Sequence, residues 1–578
     1  MKTASGPATS LLLAGSMCLV PFLLPYHQQP LLSFFPEWLA AALGVAAALT
    51  LVLARDARAV PWPAPTGWLI VLAVFLAARA ASGGHPYYQL PLLAALYVLY
   101  AVLMIRLGAC LTAMLGVERT TMALAAFLVV GALLNSLAGA IQFYGHTKPF
   151  ADVIAELHGS RAYGNISQPN LYANYLALGE GALLLLWVRA RVRTSYAVPA
   201  MILLLLGGAL SGSRGTVLYA IWYAVLGLLA VRIQDGAQAA QAQRLKIAAC
   251  GVAASALVAY FAVPWLNDAF QLGRSEGALD RILASPGEFA ASRLKASLIA
   301  LRVFVGAPLI GIGTGEFAGA AFESGLDPSL TRGGEVWTSP HNLPLHLLAE
   351  SGLVGTVLAL GGLGVWGWRT ARRYWTEGQV TCWWIIAAAG IEMIHSLTEF
   401  PLWSAHFLGV TALLVGVGAK LDMRSPAISR VGSLSPAAMC AALLVTLGLT
   451  LRDYVRLDMT RISGTTFTLT PAPQAHRDAE IMRELTHGLM APLAELWIVI
   501  GVPLDRSDLA DKLAMSGRVA RCWPANAVVV RRAVFLALDG RAQEARGLLA
   551  RALETFPHRL DATILTLGQA RTADPDAI

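Results

Sequence analysis

An all-α membrane protein crossed by about thirteen apolar helices is what this chain predicts, and three observations predict it. Hydrophobic residues fill 56% of its 578 positions and charged residues only 13%, about half the charged fraction of a soluble protein. Apolar stretches of about 20 residues, long enough to cross a hydrocarbon core, start near residues 8, 37, 66, 88, 121, 169, 196, 215, 247, 346, 380, 404 and 435. Between them the basic residues gather in alternate loops. The net charge of +8 therefore reads as membrane topology rather than as a nucleic-acid surface.

The first span carries Lys2 ahead of it and Pro21 with an aromatic run behind it, without a small-residue cleavage pattern, so it reads as a retained span. With the N-terminus inside, the inner loops hold Arg55 and Arg58; Arg106 and Arg119; Arg189, Arg191 and Arg193; Arg232, Arg244 and Lys246; Arg369, Arg372 and Arg373; and Lys420, Arg424 and Arg430. The short outer loops hold few, which fixes the orientation and leaves the C-terminus outside. Six widely spaced cysteines imply neither a disulfide framework nor a metal pair. Four segments follow: an N-terminal transmembrane bundle (1–264), a long outer loop (265–345), C-terminal spans (346–451) and a polar helical domain (452–578).

The outer segments carry the chemistry. PYHQQPLLSFFPEW, residues 25 to 38, is a proline-rich and aromatic hairpin suited to the membrane interface. GNISQPNLYANYLALG, starting at Gly164, crowds Asn165, Ser167, Gln168, Asn170 and Asn174 at the mouth of a span. Such amides either bind a sugar or phosphate or cap the helix that starts at Pro169. In SGSRGTVL, Arg214 stands between two spans with Gly212 and Gly215 beside it. Arginine at that depth calls for an anionic partner or for lipid headgroups.

The long outer loop holds Arg274, Arg281, Arg293, Lys295, Arg302 and Arg332. Within it, residues 291 to 304 read as an amphipathic helix lying on the membrane. The loop then runs into WTSPHNLPLHLLAESGLVG, Trp337 to Gly355, the stretch on which the rest converges. Asn342, His346 and Glu350 share one helical face there at i, i+4 and i+8, with His341 beside them. Histidine at a membrane boundary suits proton transfer near neutrality, and a polar cap is the plainer alternative. Farther on, Glu392, His395 and Glu399 share a face within a span, where helix-to-helix hydrogen bonds or a solvated cavity outrank a metal site.

In the C-terminal domain, Ala533, Gly540, Ala545, Ala552 and Pro557 fall at the offsets of one tetratricopeptide repeat. Either a partner-binding surface or a helical cap on the bundle fits that pattern.

GNISQPNLYANYLALG, SGSRGT and PHNLPLHLLAESGLVG resemble the signature segments of the bacterial O-antigen ligase and polymerase superfamily. PYHQQPLLSFFPEWLA and the polar helical tail are similar to its protein O-oligosaccharyltransferase branch, the pilin glycosylation type. The resemblance implies a helical membrane enzyme like the GT-C glycosyltransferases. It would move an undecaprenyl-diphosphate-linked oligosaccharide in the periplasm to a Ser or Thr hydroxyl of a pilin-like acceptor, with no metal or other cofactor. It places Arg214 and Arg293 on the donor diphosphate, with Arg281 and Arg302 close by as alternatives to the second, and His341 with Asn342 at the acceptor hydroxyl. Asn165, Gln168, Asn170 and Glu350 become glycan or acceptor contacts.

Charge supports the same assignment, because guanidinium groups stabilise a leaving diphosphate and can replace a divalent cation. The rival acceptors are the sugar of lipid A-core, which would make the chain a ligase, and another repeat unit, which would make it a polymerase. A transporter using Glu392, His395 and Glu399 as a proton relay lacks internal repeats to support it. A scaffold presenting the helical tail leaves Arg214 and His341 without a task.

Overall fold

The computed structural model describes residues 5–27, 31–52, 54–229, 236–272, 288–324, 336–377, 380–421, 435–464 and 480–573. Their regular structure is all helical, with no strand among them. Arg232, Arg274, Arg281, Arg332, Arg424 and Arg430 from the loops discussed above lie outside the described residues.

Thirteen helices correspond to the thirteen apolar stretches, twelve of them starting within about four residues of the expected position and the ninth eleven residues earlier. They are α1 (Ser5–Met17), α2 (Phe34–Val52), α4 (Ala64–Ala81), α5 (Gln89–Leu115), α6 (Val117–Phe143), α7 (Pro169–Val188), α8 (Thr194–Leu210), α9 (Gly215–Leu229), α10 (Gly236–Ala269), α13 (Leu343–Glu377), α14 (Val380–Ser396), α15 (Ala405–Leu421) and α16 (Pro436–Gly464), with a short α3 (Arg55–Ala59) between the second and third. Nine segments among the described residues are long and apolar enough to cross a membrane, so the protein is a polytopic membrane protein. Helices α8, α9, α14 and α15 run only 15 to 17 residues, because polar turns interrupt their apolar runs: SGSR between α8 and α9, and TEFP after α14.

By packing, the chain divides into two compact units. The first comprises residues 1–70, 97–286 and 359–447, and α7 is its centre. Every residue of α7 from Tyr172 to Leu186 is buried, Asn174 and Glu180 included. Helices α6, α8, α9 and α14 pack around it. Tyr219 on α9 meets His395 on α14, so that histidine is spent on a contact between helices.

The second unit comprises residues 71–96, 287–358 and 448–578. It holds α11 (Glu288–Gly306), α12 (Phe317–Ser324) and the first part of α13. Helix α11 buries Ala296, Ile299, Ala300 and Val303 against Phe317, Ala321, Trp337 and Ala349. Its other side exposes Leu294, Leu298, Leu301 and Val305, so the amphipathic helix expected over 291–304 is apolar on both flanks. Helix α13 breaks at Gly352, whose φ of 63° is left-handed. There the chain from Pro308 to Gly313 lies directly along the break: Leu353 N and Val354 N donate to Pro308 O and Leu309 O, and Ile312 N and Gly313 N donate to Ala349 O and Glu350 O. A Cβ on Gly352 would fall on the Leu309 carbonyl, which is why glycine stands there.

The C-terminal part forms α17 (Ala491–Gly501), α18 (Leu509–Cys522), α19 (Asn526–Leu538), α20 (Ala542–Thr555) and α21 (Leu560–Ala573). Gly540, at φ 81°, turns α19 into α20, and Ala533, Ala545 and Ala552 face inward between them. These helices pack against α12, where Phe322 joins Val529, Val530, Ala552 and Phe556 in one apolar cluster. Arg521 and His85 both bond Glu316, His85 at 2.8 Å, which ties α18 to the outer loop and to the α4–α5 connection.

Candidate active site

In the first unit the SGSR turn is built by its own serines. Ser211 Oγ accepts from Ser213 N at 3.1 Å, Ser213 Oγ accepts from Gly215 N at 3.3 Å, and Gly212 takes the left-handed conformation at φ 53°. Arg214, half-buried, is thereby held at the mouth between α8 and α9. A second arginine braces this turn: Arg161 Nε donates to Ser211 O at 2.7 Å, and the neighbouring Ala162 N donates to Leu210 O at 3.1 Å. Arg161 Nη2 also donates to Asn170 Oδ1 at 2.9 Å, and Asn170 Nδ2 donates to Glu399 Oε1 at 3.1 Å. A continuous polar chain thus runs from the end of α14 through the start of α7 to the Arg214 turn. Sequence reasoning named Asn170 but missed Arg161. The signal was available, since Arg161 is an arginine beside Gly159 and Ser160 at an outer boundary, the same feature that marked Arg214.

Two amides of this region serve the fold. Gln168 is the N-cap of α7, its side chain accepting from Leu171 N at 2.5 Å with Pro169 at the first helical position. Asn165 is 3% exposed and its side chain ties backbone segments together: Nδ2 donates to Leu23 O and Val153 O at 2.8 and 2.7 Å, and Oδ1 accepts from Ala155 N at 2.9 Å. At Asn165, burial and these three bonds describe a structural role beside the glycan contact expected there.

In the second unit His341 has φ 51°, a left-handed conformation that is costly for a residue with a side chain. Ser339 Oγ accepts from its N–H at 3.1 Å, and the Trp337 ring meets the imidazole edge-on at 6.1 Å between centroids. Asn342 caps the helix that follows: its Oδ1 accepts from Leu345 N at 3.1 Å and its carbonyl from His346 N at 2.9 Å. The cap fixes where α13 begins, and the strained residue just before it fixes where the imidazole leaves the backbone.

Glu350 lies two turns along α13 from Asn342, 7% exposed, with Oε1 accepting from Phe317 N at 3.1 Å and Oε2 3.1 Å from His346 Nε2. Both oxygens bond within the protein, so Glu350 anchors the outer loop. Arg293 lies on α11, half-buried, one turn before the Ala296 that packs toward Trp337.

The fold defines a class, a polytopic helical membrane protein, and two stretches of its sequence match known families. Residues 199–360, which contain Arg214, Arg293 and His341, match the family described as O-Antigen ligase. Residues 383–566 match that described as the C-terminal part of a virulence factor membrane-bound polymerase. Among individual proteins, a general O-oligosaccharyltransferase of Acinetobacter baylyi is 27% identical over 423 residues, which cover 70% of this chain and 69% of the relative.

Proposed function

We propose that the chain is an O-oligosaccharyltransferase that works at the outer face of the bacterial inner membrane, moving a glycan from an undecaprenyl diphosphate to a Ser or Thr hydroxyl of a pilin-like protein. The observation that carries this reading is that Arg214 and His341 stand on preset turns, one held by serine hydroxyls and Arg161, the other in a left-handed conformation braced by Ser339. Preorganised cations and bases are what charge-developing transfer requires.

In the reaction the acceptor oxygen forms a bond to the anomeric carbon while the bond from that carbon to the phosphate oxygen breaks. His341 accepts the hydroxyl proton. The electron pair leaves with the lipid diphosphate, whose added charge Arg214 and Arg293 offset through guanidinium-phosphate hydrogen bonds. Arg161, Asn170 and Glu399 fix Arg214, and Asn342 fixes His341. Membrane lipids surround the helices and take up the undecaprenyl tail.

His341→Ala and Arg214→Ala each reduce transfer by about a hundredfold or more while the protein still inserts, on the scale of losing one transition-state group. Normal transfer by either variant removes that residue from the site. Expression in a ligase-deficient bacterium that makes a lipid-linked glycan, followed by probing of pilin and lipopolysaccharide, decides the acceptor. The match of residues 199–360 to the O-antigen ligase family keeps lipid A-core as the second reading. Sugar on lipid A-core with bare pilin would establish it.

A further inference from the structure

Beside the Arg214 turn, within the first unit, Pro25, Tyr26, His27 and Leu32 and the loop from Ala151 to Pro169 enclose a cavity of about 660 Å³. Its size falls in the range of small-molecule sites. Tyr26, His27, Asp152, Glu156, His158 and Arg161 line it. Tyr26 is 57% exposed, and Asp152, Glu156 and His158 are exposed as well. His27 joins Leu32 to the loop, its Nε2 lying 2.9 Å from Asn165 O and its Nδ1 3.0 Å from Leu32 O.

We propose that this cavity seats the oligosaccharide of the donor. The inference rests on the reading of Arg214 as the diphosphate-binding group and names the site for what is attached to that diphosphate. Arg161 belongs to both places, since it lines the cavity and its Nε is bonded to Ser211 O, three residues before Arg214. Three residues span at most about 10 Å of backbone. The first sugar is covalently joined to the phosphate, so the glycan must start within that reach of Arg214 and needs a water-facing place to lie.

The lining has the right chemistry for it. An exposed tyrosine ring offers a flat apolar face to the C–H side of a pyranose, while carboxylates accept and imidazoles exchange hydrogen bonds with its hydroxyls. A lipid tail would find too much charge here.

The test uses the full chain in lipid nanodiscs, a lipid-diphosphate-linked O-antigen repeat unit as one donor, and the same carrier bearing only its first sugar as the other. Tyr26→Ala and the pair Asp152→Asn with Glu156→Gln are the variants; all three positions are exposed and lie outside the catalytic groups. Each variant is expected to raise the KM for the complete donor about three- to tenfold, as loss of one aromatic contact would. The KM for the one-sugar donor, the acceptor KM and kcat stay within about twofold.

Equal effects on both donors, or a change confined to the acceptor KM, overturn the proposal; the second result would give the cavity to the acceptor polypeptide. Titration of the lipid-free, diphosphate-free repeat unit, followed by saturation-transfer NMR, separates the two readings. Binding that Tyr26→Ala abolishes supports the cavity even if Arg214→Ala leaves transfer intact. Absence of binding to the parent protein counts against the cavity whatever Arg214 does.

Discussion

Replacing Glu350 by alanine separates a structural tie from a substrate contact. The side chain is 7% exposed, accepts from Phe317 N at 3.1 Å and pairs with His346 at 3.1 Å. Alanine leaves the Phe317 amide and a 5% exposed imidazole without that carboxylate. Removing one partner of a buried pair costs about 3–5 kcal/mol, most of it the penalty on the group left behind. At about 2–4 °C per kcal/mol for a unit of this size, the unfolding midpoint falls by roughly 6–20 °C.

Glu350→Gln keeps an acceptor for Phe317 N and an amide beside His346, so it loses about half as much. Thermal unfolding of the purified protein in nanodiscs measures both, with transfer assayed below the transition. Activity is expected to follow stability across the two variants. An alanine variant that unfolds at the parent temperature yet transfers nothing would refute the reasoning and return Glu350 to the substrate.

Three further outcomes are expected. Asn165→Ala strips three hydrogen bonds of 2.7–2.9 Å from a buried site and lowers stability by about 3 kcal/mol, read in the same unfolding assay. Gly352→Ala forces a Cβ onto the Leu309 carbonyl at a φ of 63° and costs about 2 kcal/mol or more, whereas alanine at Gly251, which meets nothing, changes stability far less. Asp505 is held down to about 2 from the ordinary 3.8, first by the hydrogen bond from Lys512 and then by that from Ser507. Its folded pKa is the lower one, so its contribution is full above pH about 4 and is lost as pH falls toward about 2. Helical circular dichroism under denaturant over that window shows the drop, and Asp505→Asn flattens it.

Much of the fold was legible because a lipid-facing helix announces itself by length and apolarity, so all thirteen helices could be found, although α10 starts at Gly236, in a polar stretch well ahead of its apolar run. The lengths of α8, α9, α14 and α15 were less so, since a glycine-serine turn or a TEFP corner ends a helix without ending its apolar character. At the site, shared faces were readable and shared purposes were not. The i, i+4 spacing gave the His346–Glu350 contact, but a buried pair and a solvent-facing one have the same spacing. Asn165, Gln168 and Asn170 looked alike as a row of amides; one ties three backbone segments, one caps a helix and one links two ionic groups. Contacts such as His85 and Arg521 with Glu316 join residues 231 and 205 positions apart, and no local pattern encodes them.

The seating of the C-terminal helices on α12 bears on how that region is to be investigated. Deleting the chain from Ala491 onward would strip Phe322 of its cover and Glu316 of the Arg521 guanidinium, in the very loop that Glu350 holds. A shortened protein that fails to act would then report a collapsed loop, whatever the tail recognises. Surface changes at Ile564 and Leu565, both outward-facing on the last helix, leave that foundation in place and query recognition alone.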